Sequence, residues 1–150
     1  MDVKAEVDKY KLWYTVDGIF FDEASSSAST LPYYTALWEY VRATNGTFVA
    51  LNPGTPPDEV FTTISDNICV FESGYAAYKT WTPASWIAKY PASKFTHIVY
   101  DANASDMADA VARSKTHNAA FLYVTNANLP NPYNVLPLYM TSEVANLTAC

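Results

Sequence analysis

Apolar residues along this chain follow two alternating rhythms. Short, near-continuously apolar runs recur about every 20 to 30 residues, with amphipathic or turn-rich stretches between them. The runs are Val16 to Asp22, Thr47 to Leu51, Asn67 to Phe71, Phe95 to Tyr100 and Ala119 to Val124, and each predicts a buried strand. The stretches between them predict helices. Lys4 to Tyr14 is amphipathic, with Val7, Tyr10, Leu12 and Tyr14 as inward positions. Pro32 to Thr44 is stopped by Asn45-Gly46. Pro57 to Ser65 carries prolines suited to a first turn, and Thr82 to Tyr90 opens on Thr-Pro. Ser105 to Thr116 is capped by Ser105, and Leu138 to Leu147 closes the chain after a Pro-rich loop from Leu129 to Pro137.

Apolar strands alternating with helices imply a parallel sheet covered by helices. Two α/β architectures fit, an open doubly wound sheet and a closed barrel. Polar residues end every strand: Asp22-Glu23, Asn52, Glu72, Asp101 and Asn126. That favours the barrel, whose site is assembled at the carboxyl ends of several strands. An open sheet gathers its ligand residues at one switch point, and no glycine-rich phosphate loop follows any strand here. The chain of 150 residues is therefore expected to be one domain, a partial (β/α) TIM-type barrel of five β/α units. A complete barrel takes about 250 residues, so the first three units are expected to be missing. Their absence would leave open edges and a route to self-association.

Composition narrows the function. Half the residues are hydrophobic and 16% are charged, which is globular and not disordered. The net charge of −6 and the lack of a basic stripe argue against a nucleic-acid partner. No apolar run is long enough to span a membrane, and no secretory leader is read at the start. Twelve Tyr, seven Phe and four Trp are either core packing or the flat walls of a carbohydrate cleft. Sequons start at Asn45, Asn103 and Asn146. No Cys/His/Asp cluster has metal spacing, so neither a metal nor another cofactor is expected. Cys69 reads as a buried, inert thiol, and a partner for Cys150 is left open outside this chain. His97 reads as a satisfied core residue, and His117 as a partial positive charge at a helix end.

The candidate chemistry is acidic. Strand alternation puts Gly18, Phe20 and Asp22 on one face, so Asp22 points into the mouth, with Glu23 at the turn. Glu72 ends the strand two units later. Two carboxyl groups around one cleft are what glycoside hydrolysis requires: one protonates the leaving oxygen, and the other attacks or activates water. An acidic pair after a strand is equally a solvated loop start or a helix cap. Recurrence at the same end of successive strands raises the catalytic reading. Tyr75, Tyr100, Asp101, Asn126 and the Asn52 amide are the candidate substrate-binding groups around it. Ser25, Ser26 and Ser27 either line the cleft or form a flexible loop.

The series V-D-G-I-F-F-D-E from Val16, Tyr33-Tyr34, V-A-L-N-P-G-T from Val49 and V-F-E to Glu72 resembles the spherulin-4-like cell-surface proteins. The match runs from Val16 to about Asn126. The resemblance implies a (β/α) barrel related to glycoside hydrolases, secreted or surface-attached. It implies that some members cleave galactosamine-containing polysaccharides. It places an active centre on Asp22, Glu23 and Glu72, with Asn52 at the family's Asn-Pro-Gly position. Asp22 would then be nucleophile or base and Glu72 the proton donor, or the reverse. Two readings follow: a hydrolase of an amino-sugar polysaccharide, and a non-catalytic cell-surface or carbohydrate-binding protein on the same scaffold. A third is an α/β fragment that relies on a partner for its missing face.

Overall fold

The computed structural model describes residues 2–44 and 46–148; Asn45 and Cys150 lie outside them. Five strands form one sheet: β1 (Gly18–Phe21), β2 (Phe48–Leu51), β3 (Asn67–Gly74), β4 (Phe95–Tyr100) and β5 (Phe121–Val124). All neighbours are parallel and stand in chain order, β1-β2-β3-β4-β5. A doubly wound sheet reverses its order at the switch point, whereas a (β/α) barrel does not. Sequential order therefore decides the architecture: α/β, an arc of five units of a TIM-type barrel.

The helices are α1 (Val3–Trp13), α2 (Leu31–Ala43), a single turn α3 (Tyr75–Tyr78), α4 (Ala104–Thr116) and α5 (Met140–Thr148). Several sequence expectations need correction. In α1 only Val7 is buried, while Tyr10, Leu12 and Tyr14 are exposed. Its inward stripe is Val3, Val7 and Lys11, spaced four apart; the Lys11 ammonium bonds the Thr44 hydroxyl at the end of α2 at 2.6 Å. The helices read at Pro57 to Ser65 and Thr82 to Tyr90 are 3-10 segments, Glu59–Ile64 and Ser85–Lys89. Pro83 and Pro91 bound the second and β3 begins three residues after the first, so both are too short for a stable α-helix. The cap of α4 is Asn103, not Ser105: its side chain accepts from the backbone of Ser105 and Asp106, and Asp106 returns the bond.

Each strand puts alternate residues against the helices. Phe21, Val49, Leu51, Ile68, Val70 and Phe95 meet Val7, Leu37, Val41, Phe61 and Ile87 in one core. Phe71, Val99 and Val124 meet Tyr78, Met107, Ala110 and Val111 in a second. Phe20 and Phe121, about half exposed, stand on the sheet's other face. β1 and β2 approach so closely at Gly18 that a Cβ there would lie 2.2 Å from the Phe48 carbonyl oxygen. Arg42 of α2 grips both Asp66 oxygens, at 2.7 and 2.6 Å, and Asp66 in turn accepts the Val49 N–H at 2.7 Å. This ties α2 to the start of β3. The outer edge of β5 is blunted by α5. The Thr125 N–H goes to Val99 of β4, so the Val124 N–H points outward, where buried Glu143 accepts it at 2.7 Å.

His97 sits fully buried on the helix side of β4. The Tyr78 hydroxyl and Nδ1 share a hydrogen bond at 2.7 Å, but Nε2 has no partner among the described residues. Burial, and then the nearby His117, push its pKa down to about 3. His117 does not carry the helix-end charge read from sequence. Its ring lies against Tyr78 and Trp81, and burial lowers its pKa too. For His97 the unfolded chain takes up a proton near pH 6.5 while the folded chain refuses it until about 3. Stability is therefore unaffected above about pH 6.5 and falls as pH drops through that window. The His97 ring signals should not titrate in NMR between pH 8 and about 4. A midpoint near 6 would refute this assignment. Burial also pushes the Cys69 thiol up to about 12, consistent with an inert thiol.

Candidate functional site

The site forms where β1, β2 and β3 end. Asp22 follows β1 on the side of Phe20, opposite core-facing Phe21, as alternation requires. Glu23 then turns the chain with a left-handed φ of 51°, and its N–H donates to Asp22 Oδ1 at 3.0 Å. The serine loop after it is pinned. Ser25 N–H donates to the Tyr34 hydroxyl at 2.9 Å, and Asp58 N–H to the Ser26 carbonyl at 2.9 Å.

Asn52 follows β2 and is 6% exposed. Every polar group on it is satisfied. The backbone N–H donates to Phe21 O and the carbonyl accepts from Ala24, both at 2.9 Å, which joins it to β1 and its turn. Oδ1 accepts the Gly54 N–H at 3.0 Å. Nδ2 donates twice, to Asp22 Oδ1 at 2.8 Å and to Glu72 Oε2 at 2.7 Å. One amide thus bridges the two acids.

Glu72 reaches that bridge through an irregularity in β3. The pairing with β4 jumps from Cys69↔Thr96 to Phe71↔His97, leaving Val70 as an extra residue. Ile68, Val70 and Phe71 consequently all face the helices, and Glu72 joins Cys69 on the other side. Without the bulge, alternation would send Glu72 into the helix layer with Ile68 and Val70. Gly54, at φ +66°, passes beside it: the Glu72 N–H donates to Gly54 O at 2.9 Å. A Cβ on Gly54 would touch the Glu72 Cβ at 3.5 Å.

Tyr133 completes the group. Its hydroxyl donates to Glu72 Oε1 from the loop after β5. Tyr133, Tyr100, Gly54, Leu129 and Pro130 surround Glu72 in a cleft of about 400 Å³. Asp22 borders a second hollow of about 250 Å³, lined by Phe20, Tyr10 and Tyr33 beside β1. Asn52 thus stands between two openings.

The other sequence candidates divide. Tyr100 lines the cleft with Glu72. Asp101 and Asn126 lie on the same rim, exposed, without side-chain hydrogen bonds among the described residues. The turn at Asp101, φ 54°, is latched to the end of β5 by its N–H to Ala127 O at 2.9 Å. Tyr75 does not join the acids. It is buried, and its hydroxyl donates to Asp109 of α4 at 2.8 Å, because α3 turns its ring toward the helix layer. The sequence reading passed over Tyr133. Its only local signal was its place in a loop following a strand, where a barrel builds its mouth. Among the described residues no cluster of His, Cys, Asp and Glu is suited to a metal, and no helix is long and apolar enough to cross a membrane.

In-order parallel strands with polar groups converging at their carboxyl ends define a protein of the (β/α)-barrel class. The family model for spherulation-specific family 4 matches residues 1–147, and the chain belongs to that family. Spherulin-4 of Physarum polycephalum is 32% identical over 160 aligned residues, covering 99% of this chain and 48% of that protein. A crystal structure of Aspergillus clavatus Sph3 in complex with GalNAc superposes with a TM-score of 0.82 at 23% identity, over 98% of this chain and 66% of that one. The chain thus spans about half the length of the first relative and just under two thirds of the second.

Proposed function

We propose that this chain carries the catalytic side of a glycoside hydrolase acting on an amino-sugar polysaccharide of the galactosamine type. The observation that carries the reading is the Asn52 amide, which holds Asp22 and Glu72 together at the strand ends. Two oxygens on one nitrogen, at 2.8 and 2.7 Å, stand closer than those lengths laid end to end. That suits the roughly 5–5.5 Å carboxyl spacing of retaining glycosidases, not the 6.5–9.5 Å of inverting ones. One carboxylic acid protonates the glycosidic oxygen as the C–O bond breaks, and the other carboxylate bonds the anomeric carbon. Water then releases the sugar, giving its proton back to the first group. Glu23 supports either role. Tyr100, Asp101 and Asn126 on the rim are the sugar contacts we favour, and GalNAc in the Sph3 crystal supports an amino-sugar ligand. Action on such a polymer fits a secreted or cell-surface protein.

The test is release of reducing ends from a partly deacetylated galactosamine polymer, with the first-formed anomer read by NMR. Release with retained configuration is the expected result. No release by folded protein across a panel of such polymers overturns the reading. A second reading, a non-catalytic carbohydrate binder, is favoured by half-exposed Phe20 and Phe121 on the sheet face away from the helices. Saturable polymer binding without turnover would establish it. The outer edge of β1, without a strand partner among the described residues, further suggests self-association, which would show as a concentration-dependent mass in sedimentation.

A further inference from the structure

Two hydrogen bonds converge on Glu72, and they come from opposite sides of the site. Asn52 Nδ2 donates to Oε2 at 2.7 Å, and the Tyr133 hydroxyl donates to Oε1 across 61 positions of sequence. The aim of Tyr133 is set within its own loop. Asn131 Oδ1 accepts the Tyr133 N–H at 3.0 Å, and Asn128 Oδ1 accepts the Leu129 N–H at 2.7 Å. Pro130 and Pro132 restrict the backbone on either side of Asn131, and Pro132 is buried. The Tyr133 ring leans on Tyr123 with centroids 6.3 Å apart. Tyr133 is about half exposed, but partial desolvation of its phenol, and then the bond to Glu72, raise its pKa, so it stays protonated and able to donate.

Asp22 is held differently. Its Oδ1 accepts both the Asn52 amide at 2.8 Å and the Glu23 N–H at 3.0 Å, while Oδ2 makes no hydrogen bond among the described residues. A proton-donating carboxyl needs one O–H free to face the leaving oxygen. On Glu72 a proton on either oxygen would meet a donor already in place. On Asp22 it would meet none at Oδ2.

We propose that Tyr133 is a positioning residue for Glu72, locking it as the accepting carboxylate that attacks the anomeric carbon and leaving proton donation to Asp22. This rests on the hydrolase reading and selects the second of the two divisions of roles that the sequence left open. The phenol has two effects. It fixes the plane of the carboxylate, and it offers a hydrogen bond that favours the charged form.

The test is Tyr133→Phe, which keeps the ring and deletes the donor. Turnover should fall about 10- to 100-fold with KM within about twofold, since misplacing a reacting group costs the chemical step more than binding. Tyr133→His, which can still offer a ring N–H, should recover part of the lost turnover. A tyrosine that merely pins its loop would change KM and thermal stability and leave turnover in place, which would overturn the proposal. A readout independent of activity is the carbon-13 signal of the Glu72 carboxyl, assigned by its loss in Glu72→Gln. Its chemical shift at neutral pH should change in Tyr133→Phe, where one oxygen loses its hydrogen-bond donor, and an unmoved signal overturns the proposal whatever the kinetics. A shifted signal in protein that releases no sugar upholds the lock on Glu72 but overturns the hydrolase reading and the role of attacking group.

Discussion

Asp22→Asn and Glu72→Gln should each lower turnover on a galactosamine polymer by about 10³-fold, within the range spanned by removing one acid or base. Both replacements keep shape and volume and delete the group that accepts, donates or attacks. The site can hold them without unfolding. At position 72 the new amide can turn its oxygen to Asn52 Nδ2 and its NH₂ to the Tyr133 hydroxyl, which then accepts. At position 22 the amide oxygen can keep the bonds from Asn52 and Glu23. Thermal midpoints should therefore stay within a few degrees of the parent, so lost rate reports lost chemistry. Because the two groups act as a unit, the double variant should be little worse than either single one. A pair of tenfold effects that simply multiply would mean that Asp22 and Glu72 do not share one reaction. Reducing-end assays on the three variants beside the parent decide it.

Asn52→Asp should cost about 3 kcal/mol of stability near neutral pH and most of the activity. The change adds one oxygen in place of one nitrogen, yet it inverts the logic of the site. The amide donates to two carboxylates at 2.8 and 2.7 Å from a position 6% exposed. A carboxylate there would face two others at those distances, with nothing to donate. It would hold its proton in the folded protein well above the unfolded value of about 3.9. The folded state then binds more protons than the unfolded one, so stability falls as pH rises from about 4 through the folded pKa. Urea midpoints should accordingly differ most from the parent at pH 7 and converge toward pH 4. Equal midpoints at pH 7 would show that the amide bridge contributes little. A deficit unchanged at pH 4 would point to lost packing in place of charge.

The five strands were legible because short apolar runs bounded by turn residues mark them, and Phe95 to Tyr100 matches β4 residue for residue. Two polar strand ends followed directly, since Asp22 and Asn52 come straight after β1 and β2, whereas β3 runs on through Glu72 to Gly74, paired to β4 along that length. The orientation of Asp22 was also legible, because β1 is regular and alternation holds through it. Helix faces were read less well. Tyr10, Leu12 and Tyr14 are apolar enough to suggest burial, but the side of α1 that meets α2 is the Val3, Val7 and Lys11 stripe. Tyr75 misled for a similar reason. Closeness to Glu72 in sequence places it near the mouth, while the turn of α3 sends its hydroxyl to Asp109.

The sequence by itself determined the succession of strands and helices, the acids at the strand ends and the spherulin-4 signature they spell. These depend on neighbours a few residues apart, and local periodicity and order record them. Tertiary structure alone decided three things: that the strands pair in chain order, that the extra residue at Val70 turns Glu72 away from the helices, and that Tyr133 closes on it. Pairing order is a property of the whole sheet. A bulge is set by the register of two strands, and the Tyr133 contact spans 61 positions. Each depends on groups that meet only when the chain has folded, so no local pattern carries them.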